Sequence, residues 1–474
     1  MRLVIEESKE ILTTHAGLYA VGELLRKTKL RSRLNAIRLA GRPEPEISHG
    51  DVAVSYIGLL CQGKNDFDHI EAHREDDFFR RAMGVRVVPS SPTLRQQLDE
   101  AAGQAGWEAI LREESAHLLA RKARPTAVTV GGRDLVPLDI DVSPWDNSGT
   151  KKEGVSRTYH GYDGYAPIFA FLGVEGFVVH SELRPGKDHS QKGTTKFLRE
   201  SIIYARSVTG RLLLLRLDAG FDSRDNILIC RDARVEFIIK RNLRGESESV
   251  WLEWAKRHGS MREPRPGKRV WRGALVCDVE GKPVRMIVEA VERTTRANGQ
   301  VLLLPEVEVQ AWWTSLPDDP DTVIRLYQEH GTMEQFHSEI KTDLDLERLP
   351  SGKLATNNLV LQFALLAYNI LRLMGQAMLG DPAVPLRKAR QRRRIRTVIK
   401  DPDLPGGAAG GPCAAGAAAL RTGQPLGTTP AADLRSLGLT AGIPQNRQIT
   451  EPVGGNRRGG QVIPPVGPVV TAGA

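Results

Sequence analysis

Cysteine is scarce in this chain: Cys61, Cys230, Cys277 and Cys413 are the only four in 474 residues, and none stands in a C-x-x-C pair. That excludes a disulfide framework or a cysteine zinc site and fits reduced cytosolic thiols. No apolar run approaches the ~20 residues that a membrane span needs. The opening MRLVIEESKEIL carries acids where a secretory signal has a positive region before its apolar core. A soluble, cytoplasmic protein is expected. Acids are also in deficit, since 66 Lys and Arg against 57 Asp and Glu give a formal net charge of +9. With a sequence pI near 9.4, the balance favours a polyanionic partner.

The last stretch lacks even more. From Asp401 onward there is no Phe, Trp, Tyr, Lys or His, while 15 Gly, 12 Ala and 10 Pro fill half of the remaining 74 residues. Without large apolar side chains to offset ordering entropy, residues 401–474 are expected to be disordered. The abrupt loss of Lys and aromatics at one point is also what translation in a shifted frame beyond codon 400 produces.

What is present concentrates in three places. YQEHGTMEQFHSEIK spaces Tyr327, His330, Glu334 and Lys341 three, four and seven apart, one polar stripe on a 3.6-residue helix. Met333, Phe336, Ile340 and Leu344 form the apolar stripe beside it. In LVPLDIDVS, Asp139 and Asp141 alternate with aliphatics, so a strand turns both carboxylates to one face. In GRLLLLRLDAGFDSRDN, an aliphatic run from Leu212 to Leu217 reads as a buried strand ending at Asp218. Gly220 then permits a turn, and Asp222 or Ser223 caps the next helix. Two strand-end acids and a helical carboxylate are the parts of a two-metal site for Mg²⁺, which takes oxygen ligands and completes its shell with water and phosphate.

These residues together resemble the bacterial insertion-sequence transposases of the DDE type, in the group marked by Y-x2-R-x3-E-x6-K. Tyr327, Glu334 and Lys341 match in spacing, within GTMEQFHSEIKTDLDLERLPSG; the D-x-D strand, GYDGYAPIFAF and RLDAGFDS match in order. The resemblance runs from about Ser48 to Arg396. His330 departs from it, standing where the group has Arg; imidazole lacks the fixed charge and fork of guanidinium.

The resemblance implies a cut-and-paste transposase that cleaves and joins phosphodiesters at inverted-repeat ends of double-stranded DNA. It implies a homodimer on DNA, in a bacterial, nucleoid-associated setting. Asp141 would bridge two Mg²⁺ ions (Mn²⁺ as substitute), and Asp218 and Glu334 would each complete one site. Asp139 stays open as the alternative first ligand; D-V-S favours Asp141, because the family follows its acid two residues on with a small hydroxyl residue. Tyr327, Lys341 and, more weakly, His330 would hold DNA phosphates.

The implied fold class is α/β: a ribonuclease-H-like mixed sheet core with an inserted β domain, an N-terminal helical domain and a disordered C-terminal tail. Residues 1–125 read as helical, either a DNA-end reader or a plain scaffold, with Lys27, Lys29, Arg31 and Arg33 on the surface of the helices and Ser91 capping SSPTLRQQLDEAA. Residues 126–240 hold the first part of the core, with strands at Ala166–Gly173, Phe177–His180, Leu212–Leu217 and Val235–Lys240 and a helix near Thr194–Val208. Residues 241–315 form the inserted β domain, with a turn at Glu280-Gly281 and five tryptophans read as core. Residues 316–380 complete the core with the signature helix and an apolar helix. The basic linker 381–400 packs seven cations into RKARQRRRIR, either solvated or touching phosphate.

Overall fold

Two aliphatic runs meet at the centre of the molecule. Arg133–Val142 and Leu212–Leu217 lie side by side in parallel, with Leu135 opposite Leu212 and Ile140 opposite Leu217. Both are almost wholly buried, which is why they read as near-continuous hydrophobic strands. Ile168–Leu172 joins the first run antiparallel, Phe177–Glu182 pairs beyond it, and Glu236–Lys240 adds in parallel on the far side of Leu212–Leu217. In chain order these five strands stand 3-2-1-4-5 across the sheet. Helices Thr194–Val208 and Arg224–Asp232 make the crossovers to the fourth and fifth. This is the ribonuclease-H-like mixed sheet that the resemblance implies.

The computed structural model describes residues 11–13, 15–38, 45–103, 106–380, 390–400 and 418–420. Of the tail, only Ala418–Leu420 falls among them, paired antiparallel with Ile11–Thr13. The expected disorder and frame break of 401–474 otherwise lie outside the described residues, as does the basic linker before Arg390.

The segment after Glu236–Lys240 contains a helix, Glu248–His258, then a meander of Ser260–Arg265, Lys268–Val279, Lys282–Thr295 and Val301–Thr314. These strands do not close on themselves. Val301–Thr314 pairs with Glu236–Lys240, so the meander extends the core sheet to ten strands, counting Val128–Val130 at its side. The turn at Glu280-Gly281 has positive φ at both residues, 51° and 73°, as a two-residue type I′ hairpin requires. Trp271 and Trp312 are buried. Trp251 and Trp313 lie under the Arg241 guanidinium at 5.6 and 5.2 Å.

Among the described residues, six α-helices and the 3₁₀ helix Phe67–His73 lie between Leu18 and Lys122, ahead of the core strands. The cap of Ser91–Ala102 is Ser90, one residue before the expected Ser91; its hydroxyl accepts from the Thr93 amide, while Ser91 bonds Asp68 and Glu71. Arg31 pairs with Asp51, and Arg33 with Glu113 and Glu114. Part of the basic helical surface is thus neutralised within the domain.

Leu354–Leu379 is long and apolar enough to cross a membrane, yet it is mostly buried in the protein. It packs against Trp107–Lys122, His49–Leu60, Ser91–Ala102 and the outer strand Phe177–Glu182. A helix covered on several sides has no use for a polar face. Three of its polar side chains serve the edge strand and the residue after it. Asn369 accepts from the Val178 amide at 2.9 Å and donates to its carbonyl at 2.7 Å. Asn358 accepts from the Leu183 amide, and Gln362 donates to the Ser181 carbonyl. Backbone groups that the sheet leaves unpaired are thereby satisfied.

Candidate active site

Because Ile140 is registered with Leu217, the next residues, Asp141 and Asp218, come at adjoining strand ends. Asp141 is partly exposed, and its Oδ1 accepts from the Val142 amide at 2.7 Å. Asp218 opens the following turn and accepts from the Gly220 amide at 3.0 Å. Burial first, and then the charge of Asp141, push the Asp218 carboxyl up to about 6. Two carboxylates held this close resist joint ionisation.

Asp139, on the same strand face, is a different kind of residue. It is 2% exposed and receives a forked pair of bonds from Arg216, Nε to Oδ1 at 2.6 Å and Nη2 to Oδ2 at 2.7 Å. His330 Nδ1 lies 3.1 Å from Oδ1. Burial by itself raises the Asp139 carboxyl, but Arg216 and His330 together hold it below the usual range. The remaining Arg216 nitrogen, Nη1, donates to the Leu326 carbonyl. Asp139 is therefore saturated by protein partners, which leaves Asp141 as the acid free to take a ligand. Sequence reasoning passed over Arg216, although a cation inside LLLLRL is itself a signal: a buried charge needs a partner.

The signature segment is not one regular helix. Pro320–Gln328 is α-helical, Glu329–Thr332 tightens to 3₁₀, Met333–Ser338 is α-helical again, and Glu339–Asp343 widens to a π turn. The expected single stripe is broken accordingly. Tyr327 is partly buried; its ring packs on Trp312 and stacks with His330. Burial and then the charges of Asp218, Asp141 and Asp139 raise its phenol strongly. His330 is buried against Asp139 and does not present its ring to solvent. This corrects the expectation of a surface phosphate contact there.

Glu334 stands exposed on the first turn of Met333–Ser338. One turn on, His337 Nε2 comes within 3.5 Å of Asp141 Oδ2 and its ring meets Phe169 and Phe171 edge-on. Phe336 packs on Phe171 over Gly176, where any Cβ would lie 2.4 Å from the Phe336 ring. The helix is thus seated against the aspartate strand. Lys341 donates to the Pro144 carbonyl, three residues beyond Asp141, and so does the Tyr162 hydroxyl. Burial lowers the Lys341 ammonium.

The described end of the basic run grips the same segment. Arg392 bonds Glu339 and Gln335 and lies 4.7 Å above the Phe336 ring. Arg394 forks onto Asp343 at 2.8 and 2.9 Å. Two of its cations are spent inside the protein.

Among the described residues, no three His, Cys, Asp or Glu side chains come together closely enough to hold a metal ion. The structure brings Asp141 and Asp218 together and leaves Glu334 outside that group. Still, the pair suits a divalent cation: it is all oxygen, and the strain that raises Asp218 is what a cation relieves.

Comparison with known proteins gives one decisive match. The profile of the family described as "Transposase DDE domain group 1" fits residues 2–398. The chain belongs to the transposase DDE domain family. No curated protein matches. Among solved structures, a piggyBac transposase synaptic complex with hairpin DNA is similar at 11% identity and a TM-score of 0.36, over 85% of this chain and 90% of that one. In this DDE protein the fold assignment rests on the strand order described above.

The raised Asp218 carboxyl makes a prediction for the metal-free DDE protein. A folded-state value near 6 against an unfolded value near 3.8 means that the native state holds its proton more tightly. Stability then falls as pH rises from about 4 to about 6. Asp218→Asn removes that loss. It should be more stable than the parent by on the order of 2 kcal/mol at pH 7.5, with no difference near pH 4, in urea melts with chelator present.

Proposed function

We propose that this DDE-family protein is a cut-and-paste DNA transposase acting at the inverted-repeat ends of a bacterial insertion sequence. The observation that carries this reading is the Asp141–Asp218 pair at adjoining strand ends, with its mutual repulsion. Asp141, Asp218 and Glu334 would together hold two Mg²⁺ or Mn²⁺ ions. When bound, such ions supply Lewis acidity at the scissile phosphate and lower the pKa of water.

The chain's own residues do the positioning. Arg216 and His330 neutralise Asp139, so the strand beside Asp141 adds no further free charge to the site. His337 and Phe336 seat the helix that carries Glu334 against the aspartate strand. Lys341 and Tyr327 border the site as phosphate contacts, Lys341 on exchanging the Pro144 carbonyl for a phosphate oxygen. The proposed partner is double-stranded DNA bound by a homodimer, in the cytoplasm of a bacterium at the nucleoid.

The test uses linear duplexes that carry the gene's flanking inverted repeats, or scrambled ends, with Mg²⁺, Mn²⁺ or chelator. Metal-dependent cleavage confined to true ends is the expected result. Equal cleavage of scrambled ends would point to a general nuclease, and binding without cleavage to a decayed transposase that only grips DNA.

A further inference from the structure

Strands Trp145–Asp146, Ser156–Arg157 and Asp163–Tyr165 form a small separate sheet directly after the Asp141 strand. Its tip, residues 158–162, is tightly made. Both the amide and the hydroxyl of Thr158 donate to the Tyr162 carbonyl at 2.8 Å. The Gly161 amide donates back to Thr158, with Gly161 at φ +84°. At that tip Tyr159 is 69% exposed, in a chain where only 5% of residues are Phe, Trp or Tyr. Its ring lies 4.4 Å from His160, which in turn stacks on Tyr162 at 5.9 Å and 9°. Tyr162 is tied down by its bond to Pro144. An ordered ladder of rings thus ends in an open face.

The tip is within electrostatic reach of the candidate active site, since burial and then the charges of Asp141 and Asp218 raise the Tyr159 phenol, and the strands below it are tied to the same region. Pro185 bridges to Tyr165, and the Lys187 amide donates to Ser156 Oγ. Farther along that loop, Gln191 donates to the Gly220 carbonyl in the turn that Asp218 opens. Hairpin, loop 185–193 and aspartate turn are therefore linked in series by these contacts. Lys187 and Lys192 stand exposed on that loop and Arg157 on the hairpin, Lys192 2.9 Å from Asp188 and Arg157 3.8 Å from Asp163. An open aromatic face among surface cations at the edge of a carboxylate pair fits a nucleic-acid strand better than a protein surface. The cations suit its phosphates and the ring suits a base.

We propose that Tyr159, backed by His160, is a stacking platform for an unpaired nucleobase next to the phosphodiester presented to Asp141 and Asp218. The platform rests on the transposase reading, because it needs a DNA strand in that cleft. Stacking tolerates any base, so the site would hold the end open without reading its sequence. It uses the ring and not the hydroxyl.

The experiment places 2-aminopurine at each position flanking the cleavage point of an end duplex and measures fluorescence, end binding and cleavage. The wild-type protein should change the fluorescence at one position. Tyr159→Ala should lose that change and slow cleavage of fully paired ends by about 5- to 150-fold, the range for losing one base–aromatic stack. A mismatch at the same position should restore much of the rate. Tyr159→Phe should behave as wild type in all three. Unaltered fluorescence and cleavage in Tyr159→Ala would overturn the platform alone, and a Tyr159→Phe defect as large as that of alanine would overturn stacking in favour of a hydroxyl role. If Tyr159→Ala instead changes the oligomeric state without DNA, the tip is a contact between copies. If the wild-type protein does not bind DNA, the functional reading falls together with the platform.

Discussion

Asp141→Asn, Asp218→Asn and Glu334→Gln should each abolish metal-dependent strand cleavage while leaving binding to DNA ends in place. The loss should exceed the ~10²-fold cost of removing one electrostatic contact, because an ion is lost with the carboxylate. Misfolding does not account for such a result at Asp218. Neutralising a carboxyl that burial and Asp141 push up to about 6 removes a repulsion, and the variant should melt later than its parent. Asp141 is partly exposed and makes one backbone bond, so asparagine keeps its shape and that acceptor. Gel-resolved cleavage with binding measured by anisotropy is the check. Retained cleavage in any one variant would remove that residue from the catalytic group, and Glu334, which stands apart from the aspartates in this side-chain arrangement, is the most exposed to that outcome.

Asp139→Ala should fail in another way. It strands the Arg216 guanidinium, which is 4% exposed, with only the Leu326 carbonyl as partner. Breaking a buried ion pair from one side costs about 3–5 kcal/mol, enough to unfold many domains at 37 °C. Replacing both partners by apolar residues of similar volume, Asp139→Leu with Arg216→Met, should recover most of that loss, since the pair's own desolvation disappears as well. Urea melts of the two variants decide the matter. An Asp139→Ala protein that is fully stable yet catalytically dead would exchange the roles of the two aspartates.

The contrast between these neighbours shows where the sequence was legible. D-I-D fixes that both acids share a face, and nothing in the period of two separates them. The separation comes from register: Arg216 lands opposite Asp139, a pairing set by strands 77 residues apart. The signature segment tells a similar story. Spacing placed Tyr327, His330, Glu334 and Lys341 on one stripe, and the 3₁₀ and π turns that break it depend on tertiary contacts, among them the grip of Arg392 on Glu339 and Gln335. The core strands, the Thr194–Val208 helix and the apolar helix were legible because burial writes them as aliphatic runs or long periodic stretches. That the meander extends the core sheet was not, since edge pairing is made by backbone groups that every sequence possesses.

That extension leaves the sheet with two very different margins. On one, the amides of Gln362 and Asn369 occupy backbone groups of Phe177–Glu182, and Asn358 takes the Leu183 amide just beyond it. On the other lies Ser260–Arg265, where Arg262, Glu263 and Pro264 fall within a shift of register. Charges, a proline and a bulge discourage a further strand from adding. The sheet is thus stoppered at both ends, which keeps its backbone from templating the edge-to-edge pairing by which bare strands aggregate.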